Sequence, residues 1–184
     1  PPATPTWPLT WASQFRGWYG FRNGFRGAAH DALVQVYAKS SSEMGWQQPV
    51  AGTIAVQAFG QAWATCQGGR EGTRHNETLV HFPKAPKFGG GWGVVRDYRT
   101  EPDGSGALSI DLRQVYAEPF DGSRPPLLDK NGMFVHGVEP LGPITQGRFL
   151  AVDYSGRSGC PVVIVVVDRI DGNQGRQRFW QWML

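Results

Sequence analysis

The sequence predicts an all-β protein, an antiparallel two-sheet β-sandwich with little or no helix, on three observations. From Gly52 to Val80 the chain reads GTIAVQAFGQAWATCQGGREGTRHNETLV, two alternating segments joined by a short Gly-rich connection. Alternation gives a strand one buried face and one wet face. The 25 glycines and 14 prolines are spread along the 184 residues rather than gathered in one tract, cutting the chain into many short segments, as a turn-rich sheet protein requires. No amphipathic helical stretch of ten or more residues is visible.

The elements follow in order. Residues 1–10 hold four prolines and are expected to be an extended linker or the cut end of something longer; residues 11–184 form one sandwich domain, a size common for single all-β domains. Gly17 to Phe25 is aromatic and Gly-rich, and Leu33, Val34, Val36 and Tyr37 mark a strand. Ser40 to Trp46 reads as a loop. Gly52 to Ala64 reads as a strand pair turning at Phe59-Gly60-Gln61. His75 to Phe82 is a further strand, and WGVVRDYRT another, followed by a turn at Pro102 to Gly106. Leu108, Ile110 and Leu112 alternate strictly within the next strand. Phe120 to Pro143 is the longest irregular stretch. The C-terminal block supplies strands at Arg148–Tyr154, Val162–Ile170 and Arg178–Leu184, the middle one central. In the last, Phe179, Gln181 and Met183 share one face and Trp180, Trp182 and Leu184 the other, so both faces are expected to be covered.

Composition narrows the function classes. The net charge of +3 is too small, and too evenly spread, to call for a nucleic-acid partner, though it permits acidic ligands. Fourteen of the 18 basic residues are arginine, which suits planar bidentate recognition of carboxylate and sulfate. Eight Trp and ten Phe can fill the space between two sheets or line a saccharide surface. Cys66 and Cys160 make no spacing argument for a disulfide. No apolar run approaches the roughly 18 residues of a membrane span, Pro161 to Val167 (PVVIVVV) reading as a buried strand, and the start carries no secretory apolar region. No Ser-His-Asp, P-loop or dinucleotide fingerprint is present.

The order GWYGFRN, GTIAVQAFGQAWA, RHNETLV, GSGALSIDLRQVY, RFLAVDYSGRSGCPVVIVVVDRID and WQWML resembles the C-terminal β-sandwich of heparinase II/III-like polysaccharide lyases, over about Trp11 to Leu184. Enzymes of that family place a helical toroid before the sandwich and cleave acidic polysaccharides by β-elimination, with Tyr and His, largely from the toroid, as base and acid. This chain contains no toroid sequence. The family sandwich carries a zinc held by a His of an HxDxGS-type element, an Asp of a WAxDxG-type element and the His of an HNT element. Here the HNT element matches at His75-Asn76, with Glu77 before Thr78. Trp63-Ala64-Thr65-Cys66-Gln67-Gly68 puts Cys66 where Asp is expected, and Gln48 and Val50 stand in place of the His and Asp of the first element.

The resemblance thus implies a remnant zinc site of His75 and Cys66, too few for a structural zinc, which normally takes four ligands, so no cofactor is expected. Read locally, His75 caps a strand and Cys66 is a small buried apolar residue. His30, His81 and His136 are the remaining histidines; His30-Asp31 is a possible dyad, but neighbours on a strand point to opposite faces. Asp153, Asp168 and Asp171 fit the last hairpin of the lyase pattern, or turn chemistry with pairing to Arg157 or Arg169.

The expected function is a degenerate, non-catalytic sandwich module that binds acidic polysaccharide or shapes a substrate cleft. One alternative is one piece of an active lyase whose toroid domain lies elsewhere; another is a structural subunit docking to other proteins through exposed Trp and Phe. The resemblance alone implies an extracellular or periplasmic location.

Overall fold

A computed structural model describes residues 7–38, 51–65, 78–80, 93–113, 127–128, 134–135, 145–171 and 178–180, the two- and three-residue strands by their backbone. Every regular element of two or more residues among them is a strand: β1 (Thr10–Ser13), β2 (Trp18–Arg22), β3 (Ala32–Tyr37), β4 (Thr53–Ala58), β5 (Gln61–Ala64), β6 (Thr78–Val80), β7 (Val94–Thr100), β8 (Gly106–Asp111), β9 (Leu127–Leu128), β10 (Phe134–Val135), β11 (Thr145–Asp153), β12 (Val163–Asp171) and β13 (Arg178–Trp180). They form an antiparallel five-stranded meander, β1-β2-β3-β4-β5, an antiparallel four-stranded sheet, β12-β11-β8-β7, and the pairs β9–β10 and β6–β13. No helix among the described residues is long and apolar enough to cross a membrane.

Each large sheet turns one face to a shared core. The first contributes Tyr19, Phe21, Val34, Val36, Ile54 and Val56, the second Leu108, Ile110, Leu112, Leu150 and Val152, in one cluster. The period of two seen in the sequence is therefore the packing rule, and the expected all-β two-sheet architecture is the observed one. Two tyrosines stitch the layers at their rims: Tyr98 on β7 donates to the Trp11 carbonyl on β1 (3.1 Å), and Tyr154 donates to the Phe21 carbonyl on β2 (2.9 Å). Gly20 lies opposite Trp11 in the β1–β2 register, and the indole rests where a Cβ at Gly20 would stand.

The expected hairpin at Gly52 to Ala64 is β4–β5, with Ala58 opposite Gln61 and Phe59-Gly60 as the two-residue turn. Two expectations from the C-terminal block change. The strand expected to begin at Arg148 begins at Thr145, so Arg148 lies mid-strand on the inward face and is 2% exposed. The valine-rich strand expected to be central is β12, the last in its sheet's order among the described residues, with Val165 and Val167 exposed. Valine on both faces hides the alternation that separates a two-sided from a one-sided strand. The 120–143 stretch lies outside the described residues except for β9 and β10, as do the side chains of the last strand.

The buried Arg148 is held on three sides. Asp168, directly across the β11–β12 register, takes its Nε and Nη2 at 2.7 and 2.8 Å, and Nη1 donates to the Gly52 carbonyl of the other sheet at 2.5 Å. Arg148→Met is expected to cost about 3–5 kcal/mol, because it leaves Asp168 charged and largely buried, whereas Arg148→Met/Asp168→Leu recovers most of that loss. Urea unfolding of the two variants measures this; equal losses in both would refute it.

Candidate functional site

The β4–β5 hairpin gathers the most distinctive surface groups. Its turn is tight because Ala58 and Gln61 pair directly, and both turn residues take left-handed backbone, as in a type I′ turn, with φ 55° at Phe59 and 79° at Gly60. Asn-Gly is the usual occupant of such a turn, and a bulky residue held there costs about 1–3 kcal/mol. Phe59 is nonetheless at the tip and exposed. Four residues on, the Trp63 indole Nε1 donates to the Ala58 carbonyl (3.0 Å), fixing the ring against its own hairpin while 49% of the residue stays open to solvent.

These two rings and Val162, Ile164, Val165 and Val166 line a groove of about 640 Å³ between the hairpin and β12. Among the described residues no charged side chain lines it. Beside the same hairpin is a second hollow of about 400 Å³, bordered by Gln57, Gln61, Arg22 and Asp31. One short element therefore has aromatic carbon on one flank and amide and guanidinium groups on the other.

The polar hollow is built by Asp31. The loop before β3 wraps around its carboxylate, which accepts from Arg22 Nη2 (2.7 Å), the Arg26 amide (2.9 Å) and the Gly27 amide (3.3 Å). Burial opposes its charge, but the Arg22 guanidinium and the two amides outweigh burial and hold the carboxyl below its ordinary value. Arg22 also donates from Nε to the Gly24 carbonyl (2.5 Å) and lies 4.1 Å above the Phe25 ring centre. His30 is exposed in this loop, its carbonyl accepting from Arg26 and Asn23. His30 and Asp31 sit next to each other without forming a dyad, since the carboxylate is directed into the loop.

The other acidic residues singled out from the sequence are structural. Asp168 pairs with Arg148 rather than with Arg157 or Arg169. Asp171 pairs with Arg169 at 2.9 Å. Asp153 accepts the Ser155 amide at 2.8 Å, and its carboxyl is lowered by Ser155. Asp111, not singled out, binds both Arg113 Nη2 (2.6 Å) and Arg96 Nη2 (2.8 Å). Against the opposing effect of burial, Arg113 and then Arg96 bring its carboxyl down to about 2.

His75 and Cys66 lie outside the described residues, as do Gln48, Val50, Asn76, His81 and His136. Of the WAxDxG-like element, Trp63-Ala64-Thr65 is described, and it ends β5 with Trp63 in the groove and Ala64 in the core. Among the described residues no group of three or more His, Cys, Asp or Glu is placed to hold a metal ion. The hairpin was legible as a turn but not as a site. Its signal was FGQAW: a bulky residue where Asn belongs, and a second ring four positions later.

Compared with known proteins, the chain matches no protein-family model, no curated sequence and no solved structure.

Two outcomes are expected. Phe59→Asn relieves the turn and raises stability by about 1 kcal/mol in thermal or urea unfolding; a loss would mean that the ring's packing outweighs its strain. The lowered carboxyls of Asp31 and Asp111 stabilise the fold fully above the unfolded value of 3.8, and this stabilisation disappears as pH falls towards about 2, where Asp111 titrates. Asp31→Asn should be less stable at pH 7 by about 1–3 kcal/mol and show a shallower decline between pH 4 and pH 2 than the parent, followed by circular dichroism.

Proposed function

We propose that this chain is a non-catalytic β-sandwich module that binds a polysaccharide across the β4–β5 hairpin. The observation that carries the reading is the Trp63 ring: clamped by its Nε1 to the Ala58 carbonyl, half open, and set beside Phe59 in a groove about 640 Å³ in volume. The negatively polarised face of an indole attracts the row of C–H bonds on a pyranose ring, and a ring that is already immobilised loses little freedom when a sugar stacks on it. Hydroxyl groups of the same chain can then reach the amides of Gln57 and Gln61 on the polar flank.

The resemblance to the heparinase II/III-like sandwich supports an acidic glycan, because its WAxDxG-like element begins with Trp63 itself. Arg22 is the basic group of the polar hollow and can face a uronate or sulfate. No catalytic role is assigned to the module: Asp31, Asp168 and Asp171 are engaged in ion pairs and Asp153 in a turn, and the Tyr and His that act as base and acid in the family come largely from a toroid.

Titrating the full chain with heparin, heparan sulfate and alginate, by calorimetry, tests the reading. Trp63→Ala is expected to weaken binding of the best ligand tenfold or more, about 1.4 kcal/mol, and Arg22→Gln to weaken acidic glycans more than neutral ones. Unchanged binding in Trp63→Ala removes the hairpin from consideration, and absorbance of an unsaturated uronide in the same mixtures refutes the non-catalytic assignment.

A further inference from the structure

The outer face of the second sheet carries a patch that shares only Val165 with the hairpin groove. Leu108, Ile110 and Leu150 point inward, so the residues between them point out. Phe149 and Val167 are directly opposite in the β11–β12 register, and Val165 is the next outward residue of β12. They are 43%, 54% and 46% exposed, which makes a contiguous apolar patch on a sheet face. Around Phe149 the outward positions are small: Gly147 and Ala151 on its own strand, Ser109 and Ala107 on β8. A single ring therefore projects beside a hollow of about 530 Å³ with Gly147 and Ser109 next to it and charged walls that include Arg96, Asp111, Arg113 and Arg169. A projecting ring next to a low floor is complementary to its own copy after a two-fold rotation, each ring entering the other's hollow.

The charges around the patch discriminate among partners. Arg96 and Arg113 share Asp111, Arg99 pairs with Asp97 at 2.9 Å, and Arg169 pairs with Asp171. Four arginines stand against three aspartates, with the signs interspersed. A polyanion laid here would meet an aspartate beside every guanidinium, and a polycation the reverse. A second rim of the same mixed pattern can set each sign against its opposite. The size fits a weak association: strands of nine, nine, six and seven residues at about 3.3 Å per residue and about 4.8 Å apart give on the order of 500 Å² per copy. The total of about 1,000 Å² is that of a weak, transient interface.

We propose that the outer face of the β12-β11-β8-β7 sheet is a homodimer interface, two copies packed face to face with Phe149 of each in the hollow beside Gly147 and Ser109 of the other. The inference goes beyond the glycan reading and is independent of it, since the hairpin groove and this face use different residues apart from Val165.

Sedimentation velocity of the full chain between about 1 µM and about 500 µM tests it. A monomer–dimer equilibrium with a dissociation constant of about 1–100 µM is expected. Phe149→Glu and, separately, Val167→Lys should each weaken it at least tenfold while circular dichroism melts show the sandwich intact; Phe149→Ala, the milder change, should weaken it less. Trp63→Ala should leave it unchanged. A parent chain that stays monomeric throughout the series overturns the proposal, as does association that persists in folded Phe149→Glu and Val167→Lys, or association lost in Trp63→Ala instead.

Discussion

Arg148 is the residue on which the two layers depend. Its guanidinium lies between sheets whose facing side chains are mostly aliphatic and aromatic, Gln146 and Thr53 also being buried, with Asp168 on its own sheet and the Gly52 carbonyl on the other. An unpaired charge in such a place would be expelled, so the pair is tolerated only because the geometry is bidentate and the third side of the fork finds a backbone acceptor. Against an apolar pair of equal volume its net contribution is small. Its effect is on uniqueness: sliding β11 by one residue against β12 turns Arg148 to the outer face and leaves Asp168 without its opposite number. The same fork reaches the residue just before β4, so one side chain ties the β11–β12 register to the start of the β4–β5 hairpin.

The two open sides of the sandwich are finished differently, and this asymmetry places the groove. Where β1 meets β7, Tyr98 packs among Tyr19 and Phe21 and hydrogen-bonds the Trp11 backbone, so the layers are linked edge to edge. Where β5 approaches β12, Val56 and Ala58 of one sheet and Ile164 and Val166 of the other line a groove instead. Val56 belongs to the core and Ile164 and Val166 pack against it, so the groove is the core's own margin. The hairpin hung over that margin has its turn residue in a conformation bulky side chains avoid. Strain of that kind persists where neighbouring structure over-determines it, and here the direct Ala58–Gln61 pairing does so.

Most of the sheet structure was legible because alternation is a direct consequence of one-sided burial. Leu108, Ile110 and Leu112 point inward as their spacing requires, and Phe59-Gly60 turns where the sequence broke between two strands. What was not legible involves partners distant in the chain. Nothing local distinguishes Arg148, which enters the core, from Arg169, which stays in solvent; the difference is a strand that starts three residues earlier than expected and an aspartate twenty positions away. The terminal place of β12 in its sheet's order among the described residues was equally hidden, because valine at every position from 165 to 167 reads as two-sided burial. At the site, the sequence directed attention to histidines and cysteine, the residues that carry chemistry, whereas the hairpin's features are geometric: a ring at positive φ and an indole hydrogen-bonded to its own turn.

Charge arrangement separates the two candidate surfaces more sharply than apolarity does, since both carry exposed rings. On the outer face of the second sheet the four guanidiniums of Arg96, Arg99, Arg113 and Arg169 are each paired with a carboxylate along or across, Asp111 serving two of them, which leaves one net positive charge and weakens the field a polyanion would follow. At the hairpin, the carboxylate of Asp31 is withdrawn into its loop, 6% exposed, while Arg22 is 28% exposed at the hollow. Burying the acid while leaving the base at the surface gives that hollow a positive local bias even though the pair is formally neutral. Aromatic carbon on one flank and a positively biased amide hollow on the other suit the proposed acidic sugar chain; an apolar plane ringed by charges of both signs suits the proposed second copy.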